Sequence, residues 1–219
     1  MTGQITREDF ARMIAGAAES IRDQHSMLSE LDCATGDGDH GTTMLRVVDR
    51  LETVFSLAAP EDLKTCLQEA GWSVMGVDGG ASSSLLGVFF GGMADAPRYG
   101  PTDTSDLAAM FEAGLAALRK QTKAQPGDKT MMDAIVPAVA AMRAAAEAGK
   151  SVSEALHDAS AAAKAGAEAT RNFTARHGRA KFLGEKTRGH PDPGATSMSL
   201  MFAGFCRGFE KSKGEPGNA

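Results

Sequence analysis

Apolar residues recur at three- and four-residue spacing along almost the whole chain, and no run rich in Val, Ile, Thr and aromatics alternates with a period of two. Such a pattern buries one stripe of each helix and leaves no half-buried strand to build a sheet. The spacing predicts an all-α protein. Thr6, which with Asp9 approximates a capping box, opens the first helix, and Phe10, Ile14, Ile21 and Leu28 fall toward one side of it. Further helices fit residues 42–58, a segment opening after Pro60, the small-residue stretch "ASSSLLGVFFGGMADA", and residues 105–121, 130–148, 152–175 and 195–211. Ser151 with Glu154 forms a second possible capping box, and Pro137 is expected to kink its helix.

About eight helices of similar length with short connections favour antiparallel neighbours in one bundle or barrel. No linker divides the chain, so residues 1–211 read as a single domain and 212–219 as a flexible tail. The formal net charge of −5 and the lack of a Lys/Arg-rich run argue against nucleic acid as a partner. Cys33, Cys66 and Cys206 are too few and too scattered for a disulfide framework, and no CxxC pair points to zinc. The longest apolar stretches are too short to cross a bilayer and the N-terminus lacks a signal core, so no membrane association and a cytoplasmic location are expected.

Chemistry concentrates in three places. In "LDCATGDGDHGTTML", Asp32, Asp37 and Asp39 stand at DxxxxDxD spacing between two helices. Carboxylates so close repel one another unless a cation neutralises them, and hard oxygen ligands suit magnesium or calcium; Asp and Gly are equally ordinary helix caps and turn formers. A calcium loop does not fit, because twelve positions counted from Asp37 put Thr42 where glycine is needed and Val48 where a bidentate glutamate belongs. The adjoining "HGTTM" would start a helix whose N–H groups, with Thr42 and Thr43, suit a phosphate. Neither a P-loop nor a dinucleotide-binding glycine motif occurs.

The second place is "GVDGGASSS", readable as a ligand-facing helix start or as a flexible turn. The third is "HGRAKFLGEKTRGHPDPGATS", a polar loop of about twenty residues, where Arg179 could offset phosphate charge and "DPG" could shape a tight turn. Lys129 in "PGDKTMMD" fits either a phosphate contact or a solvated lysine. Trp72 and Tyr99 read as packing residues, His25 and His157 as surface or packing residues on helices.

Taken together and in this order, "LDCATGDGDHGTTM", "GVDGGASSSLLG", "PGDKTMMDA" and "GRAKFLGEKTRGHPDPGATS" resemble the nucleotide-binding L subunits of dihydroxyacetone kinases. The resemblance implies an antiparallel barrel of about eight amphipathic helices with ADP or ATP at one rim. It implies two magnesium ions on Asp32, Asp37 and Asp39, and phosphate or ribose contacts from His40, Gly41, Thr42 and Thr43. Ala81 and Ser82 would lie beside the nucleotide, Met131 would border the adenine, and Arg179 with Asp192, Pro193 and Gly194 would complete the pocket. Ser83 and Ser84 depart from the Gly-Pro often found there in the family. The partners implied are a K subunit that carries the ketose and, in one form of the enzyme, a phosphotransferase-system protein as phosphoryl donor. A subunit for another small ketose such as erythrulose, or a non-catalytic nucleotide-sensing module, would share these motifs.

Overall fold

The computed structural model describes residues 5–56, 62–96 and 103–214. Among them the chain is helical with no strand: α1 Arg7–Cys33, α2 His40–Ser56, α3 Leu63–Met75, α4 Gly80–Met93, α5 Thr104–Gln121, α6 Met132–Glu147, α7 Val152–Ala169 and α8 Pro193–Gly214. Two 3-10 segments, Thr170–Asn172 and Ala180–Thr187, lie between α7 and α8.

Local chemistry sets the starts. Thr6 and Asp9 exchange side-chain and backbone hydrogen bonds as a full capping box, and Ser151 with Glu154 does the same for α7. The third helix begins at Leu63 with Asp62 as its cap, and Pro60 lies outside the described residues. The helix expected over 152–175 ends as α-helix at Ala169, because the chain tightens into the 3-10 turn at Thr170. Pro137 sits inside α6 and removes the donor that would meet the Asp133 carbonyl. Gly166 of α7 packs on that carbonyl, and a Cβ there would come within 1.9 Å of it.

Each helix packs on its neighbours in sequence, and α1 packs on α8 to close the ring. Small residues allow the closure: a Cβ on Gly204 would lie 2.3 Å from Ala17 Cα, and one on Gly208 would lie 2.0 Å from the Arg12 carbonyl. Inside the ring Phe89, Phe111, Phe202 and Phe205 form an aromatic cluster with centroids 5.7–6.1 Å apart, mostly edge-on or tilted. Each such ring contributes about 1.5–3 kcal/mol by leaving water. Trp72 does not pack inside as expected; it is 75% exposed on α3. Tyr99 falls outside the described residues.

Candidate nucleotide and metal site

The alternation of helix direction decides where a ligand can bind. Because neighbours run antiparallel, α2, α4, α6 and α8 all start at the rim where α1, α3, α5 and α7 end. A cavity of about 630 Å³ opens at that rim and is lined by the first residues of all four of those helices. Helix N-termini carry unpaired N–H groups and a partial positive charge, so the rim is suited to anions.

Asp32 lies in the last turn of α1 and Asp37 and Asp39 in the loop before α2; ligand oxygens of the three fall within 4.8 Å of one another. The loop is folded around the Asp32 backbone carbonyl, which accepts from the Thr35 and Gly36 amides at 3.0 and 2.5 Å. Gly36 is needed there, since a Cβ would stand 2.2 Å from Asp32 Oδ1, and Gly38 takes a φ of 79° that turns the chain back toward the cavity. The His40 amide donates to Asp32 Oδ2 at 3.3 Å. Arg179, from the segment after α7, pairs with Asp37 across the mouth. Three converging carboxylates with open oxygens match the hard-ligand set that magnesium takes, with room for water and phosphate oxygens.

The cavity is lined by Asp32, Asp37, Asp39 and His40 on one side and by Ala81 and Ser82 at the start of α4. Met131, Arg179, Asp192, Pro193 and Gly194 line it too. Gly41, Thr42 and Thr43 do not. Gly41 packs on the His25 carbonyl, buried Thr43 packs against Gly79, and Thr42 faces solvent. His40 is itself buried, with Nε2 3.0 Å from Ser197 Oγ, and Ser197 Oγ donates to the Gly194 carbonyl. Burial holds the His40 pKa below its ordinary value, so the neutral ring ties the start of α2 to the start of α8. The Ser83 hydroxyl is fully buried and donates to the Val77 carbonyl at 2.9 Å, so this departure from Gly-Pro pins the turn before α4.

"DPG" forms a helix start rather than the tight turn expected. Asp192 caps α8 by accepting from the Ala195 amide at 2.7 Å, and Pro193 occupies the first helical position, where its missing N–H costs nothing. Burial pushes the Asp192 carboxyl up to about 7.

Lys129 is not a solvated lysine; it lines the cavity and commits two of its three ammonium donors to the protein. It is 3% exposed, adopts a φ of 62°, and its ammonium donates to the carbonyls of Thr170, at 2.6 Å, and His190. The long segment before α8 is thereby bolted to the loop before α6. Asp128 adds to the junction: its carboxylate faces Arg176 and His177 at 3.4 and 3.3 Å, and its carbonyl accepts from the Arg176 amide. Buried Thr170 completes it, accepting from the Asp192 amide at 2.8 Å. Sequence reasoning missed Ser197, Thr170 and Asp133. Only Asp133 left a local trace: Thr130 and Asp133 have capping-box spacing, and the Asp133 carboxylate accepts from the amides of Gly127 and Thr130.

An antiparallel helical barrel that gathers four helix N-termini and three carboxylates at one cavity defines a class of protein suited to hold a phosphorylated ligand through a divalent cation. The chain belongs to the DAK2 domain family, whose model matches residues 34–207.

It is 36% identical over 196 residues, 89% of this chain and 93% of the relative, to the ADP-binding subunit of PEP-dependent dihydroxyacetone kinase 1 of Listeria innocua. Identity to the ADP-binding subunit of the PEP-dependent dihydroxyacetone kinase of Escherichia coli is 35% over 198 residues, 90% of this chain and 94% of that one. The crystal structure of the dihydroxyacetone kinase from C. freundii in complex with AMP-PNP and Mg2+ superposes with a TM-score of 0.70 at 26% identity. That match covers 90% of this chain, which spans about a third (33%) of the solved kinase chain. The resemblance read from the four motifs and the helical fold are both borne out.

Proposed function

We propose that the chain is the ADP-binding subunit of a dihydroxyacetone kinase, holding a magnesium nucleotide at the carboxylate rim and passing a phosphoryl group to a ketose carried by a separate K subunit. The observation that carries this reading is the meeting of Asp32, Asp37 and Asp39 within 4.8 Å at a cavity mouth flanked by helix starts. The family and the ADP-binding relatives support it.

Asp32, Asp37 and Asp39 would hold two magnesium ions, whose chemistry is to neutralise phosphate charge and align the terminal phosphoryl group. The start of α4, where Gly80, Ala81 and Ser82 line the wall, offers its amides to the phosphates. Met131 offers the apolar wall for the base. Arg179, already drawn to Asp37, would add a positive charge beside the phosphates. His40, Ser197 and Lys129 act by holding the starts of α2, α6 and α8 in register. Positioning of this kind supplies most of the rate in phosphoryl transfer.

Both of the subunit relatives named above are PEP-dependent, which supports bound ADP recharged by a phosphotransferase-system protein rather than exchanged for ATP. The test begins with mass spectrometry of nucleotide retained by the purified protein and calorimetry of ADP binding with and without magnesium. A coupled assay with the K subunit and dihydroxyacetone follows. Retained, slowly exchanging ADP and turnover only with the phosphotransferase proteins are expected; no magnesium-dependent nucleotide binding would remove the reading.

A further inference from the structure

The segment that brings Arg179 to the cavity mouth also carries the most exposed large apolar side chain among the described residues. Phe182 is 82% exposed and its neighbour Leu183 is 40% exposed. They are not on a loose loop. Thr187 is fully buried, donates its hydroxyl to the Gly184 carbonyl at 2.7 Å and accepts from the Ala175 amide at 3.0 Å. The Gly189 amide donates to the Arg171 carbonyl at 2.8 Å, and Lys129 ties down the His190 carbonyl. The frame is fixed, and two apolar side chains are held into water on it, a configuration that marks an interaction site.

The surroundings restrict what fits there. Of the six Lys/Arg in residues 171–190, Arg171, Arg176, Arg179 and Arg188 face Glu168, Asp128, Asp37 and Glu185, so the positive charge left to the surface around Phe182 is that of Lys181 and Lys186. Lys181 and Lys186 are exposed on the same 3-10 segment, with the Lys181 ammonium 4.9 Å from the Phe182 ring centroid. A symmetric contact with a second copy would set these cations face to face. An apolar notch with an acidic rim complements the patch. Position selects among proteins of that kind: Arg179 and Ala180 line the cavity, and Arg179 reaches the carboxylate end of it. A protein seated on Phe182 and Leu183 therefore overhangs the end of the pocket where the metal carboxylates lie.

We infer that Phe182 and Leu183, flanked by Lys181 and Lys186, are the anchor on which the ketose-carrying K subunit docks through an apolar notch ringed by acidic residues. The inference rests on the kinase reading above. The anchor fixes the orientation in which the bound ketose hydroxyl approaches the terminal phosphate, so the patch governs encounter with the acceptor subunit and not nucleotide binding.

The experiment uses the full chain, the K subunit of the same organism loaded with dihydroxyacetone, and two variants, Phe182→Ser/Leu183→Ser and Lys181→Glu/Lys186→Glu. Circular dichroism and magnesium–ADP calorimetry should match the parent in both. The apolar double variant should raise the concentration of K subunit needed for half-maximal rate about tenfold or more, with the rate at saturation kept. The charge variant should slow association and flatten its salt dependence. Parent-like affinity for the K subunit in the apolar variant overturns the anchor while leaving the kinase reading intact. Effects confined to self-association or to recharging by the phosphoryl donor overturn it in favour of those occupants. A parent chain that binds no magnesium nucleotide removes both.

Discussion

The Arg179 guanidinium donates to the Asp37 carboxylate across the cavity mouth, joining the segment after α7 to the loop before α2. The pair is solvent-exposed, with side chains 68% and 43% accessible, so it contributes little to stability. Asp37→Ala should leave the melting temperature nearly unchanged, abolish kinase activity with the K subunit and weaken nucleotide retention. Full activity in that variant would end the metal-site assignment. Arg179→Ala should keep magnesium binding and lower nucleotide affinity by about tenfold, consistent with loss of one charge-assisted contact.

Lys129→Met should be among the most damaging single changes outside the carboxylates. It strips the donor from the Thr170 and His190 carbonyls in a buried junction, at a cost of about 2–4 kcal/mol. Denaturant melts give the stability, and limited proteolysis across residues 171–190 reports the loosened segment. Parent-like resistance there would mean the ammonium is dispensable.

Asp192 carries a pH signature. Its carboxyl is held up at about 7 by burial, whereas an unfolded aspartate titrates near ~3.9. Between those values the folded chain keeps a proton that the unfolded chain releases. Its contribution to stability is therefore full below about pH 4 and is lost as pH rises toward 7. Asp192→Asn retains an oxygen to cap the Ala195 amide and removes the titration. In magnesium- and nucleotide-free protein the variant should gain in melting temperature over the parent as pH rises from about 5 to 8. Parallel curves would show that Asp192 is not the group responsible.

The α1–α8 seam gives a stability prediction remote from the cavity carboxylates. Gly208→Val places a branched side chain where even a Cβ would stand 2.0 Å from the Arg12 carbonyl and 2.9 Å from Met13 Cα. Both obstacles are backbone, so the helices must separate, costing about 3 kcal/mol or more. Thermal unfolding should show a large drop, and an unshifted midpoint would contradict the seam as described.

What the sequence made legible was local. The capping boxes at Thr6 and Ser151 are complete within four residues, and both stand where expected. The three aspartates lie within eight residues of one another, so their convergence needed no knowledge of the fold. Lys129 and His40 were opaque for the opposite reason. The carbonyls that hold Lys129 lie 41 and 61 positions away, and Ser197 lies 157 positions from His40. "DPG" was misread although the cue was present, because Asp followed by Pro is as good a helix start as a turn. Exposure of Trp72 was legible in the spacing, since Leu63, Cys66, Leu67, Ala70, Gly71 and Val74 make the buried stripe of α3 and Trp72 lies off it.

The up-and-down order of the ring has one further effect. With the cavity at the rim where α8 begins, α1 starts and α8 finishes at the opposite rim, and Lys211 pairs with Glu19 along the seam between them. The two ends of the fold thus leave on the side away from the cavity, side by side. Covalent fusion to another domain, or reconnection of the ends into a permuted chain, leaves the mouth unobstructed. The same barrel can therefore serve as a free-standing subunit or as one third of a longer kinase polypeptide without rebuilding its chemistry.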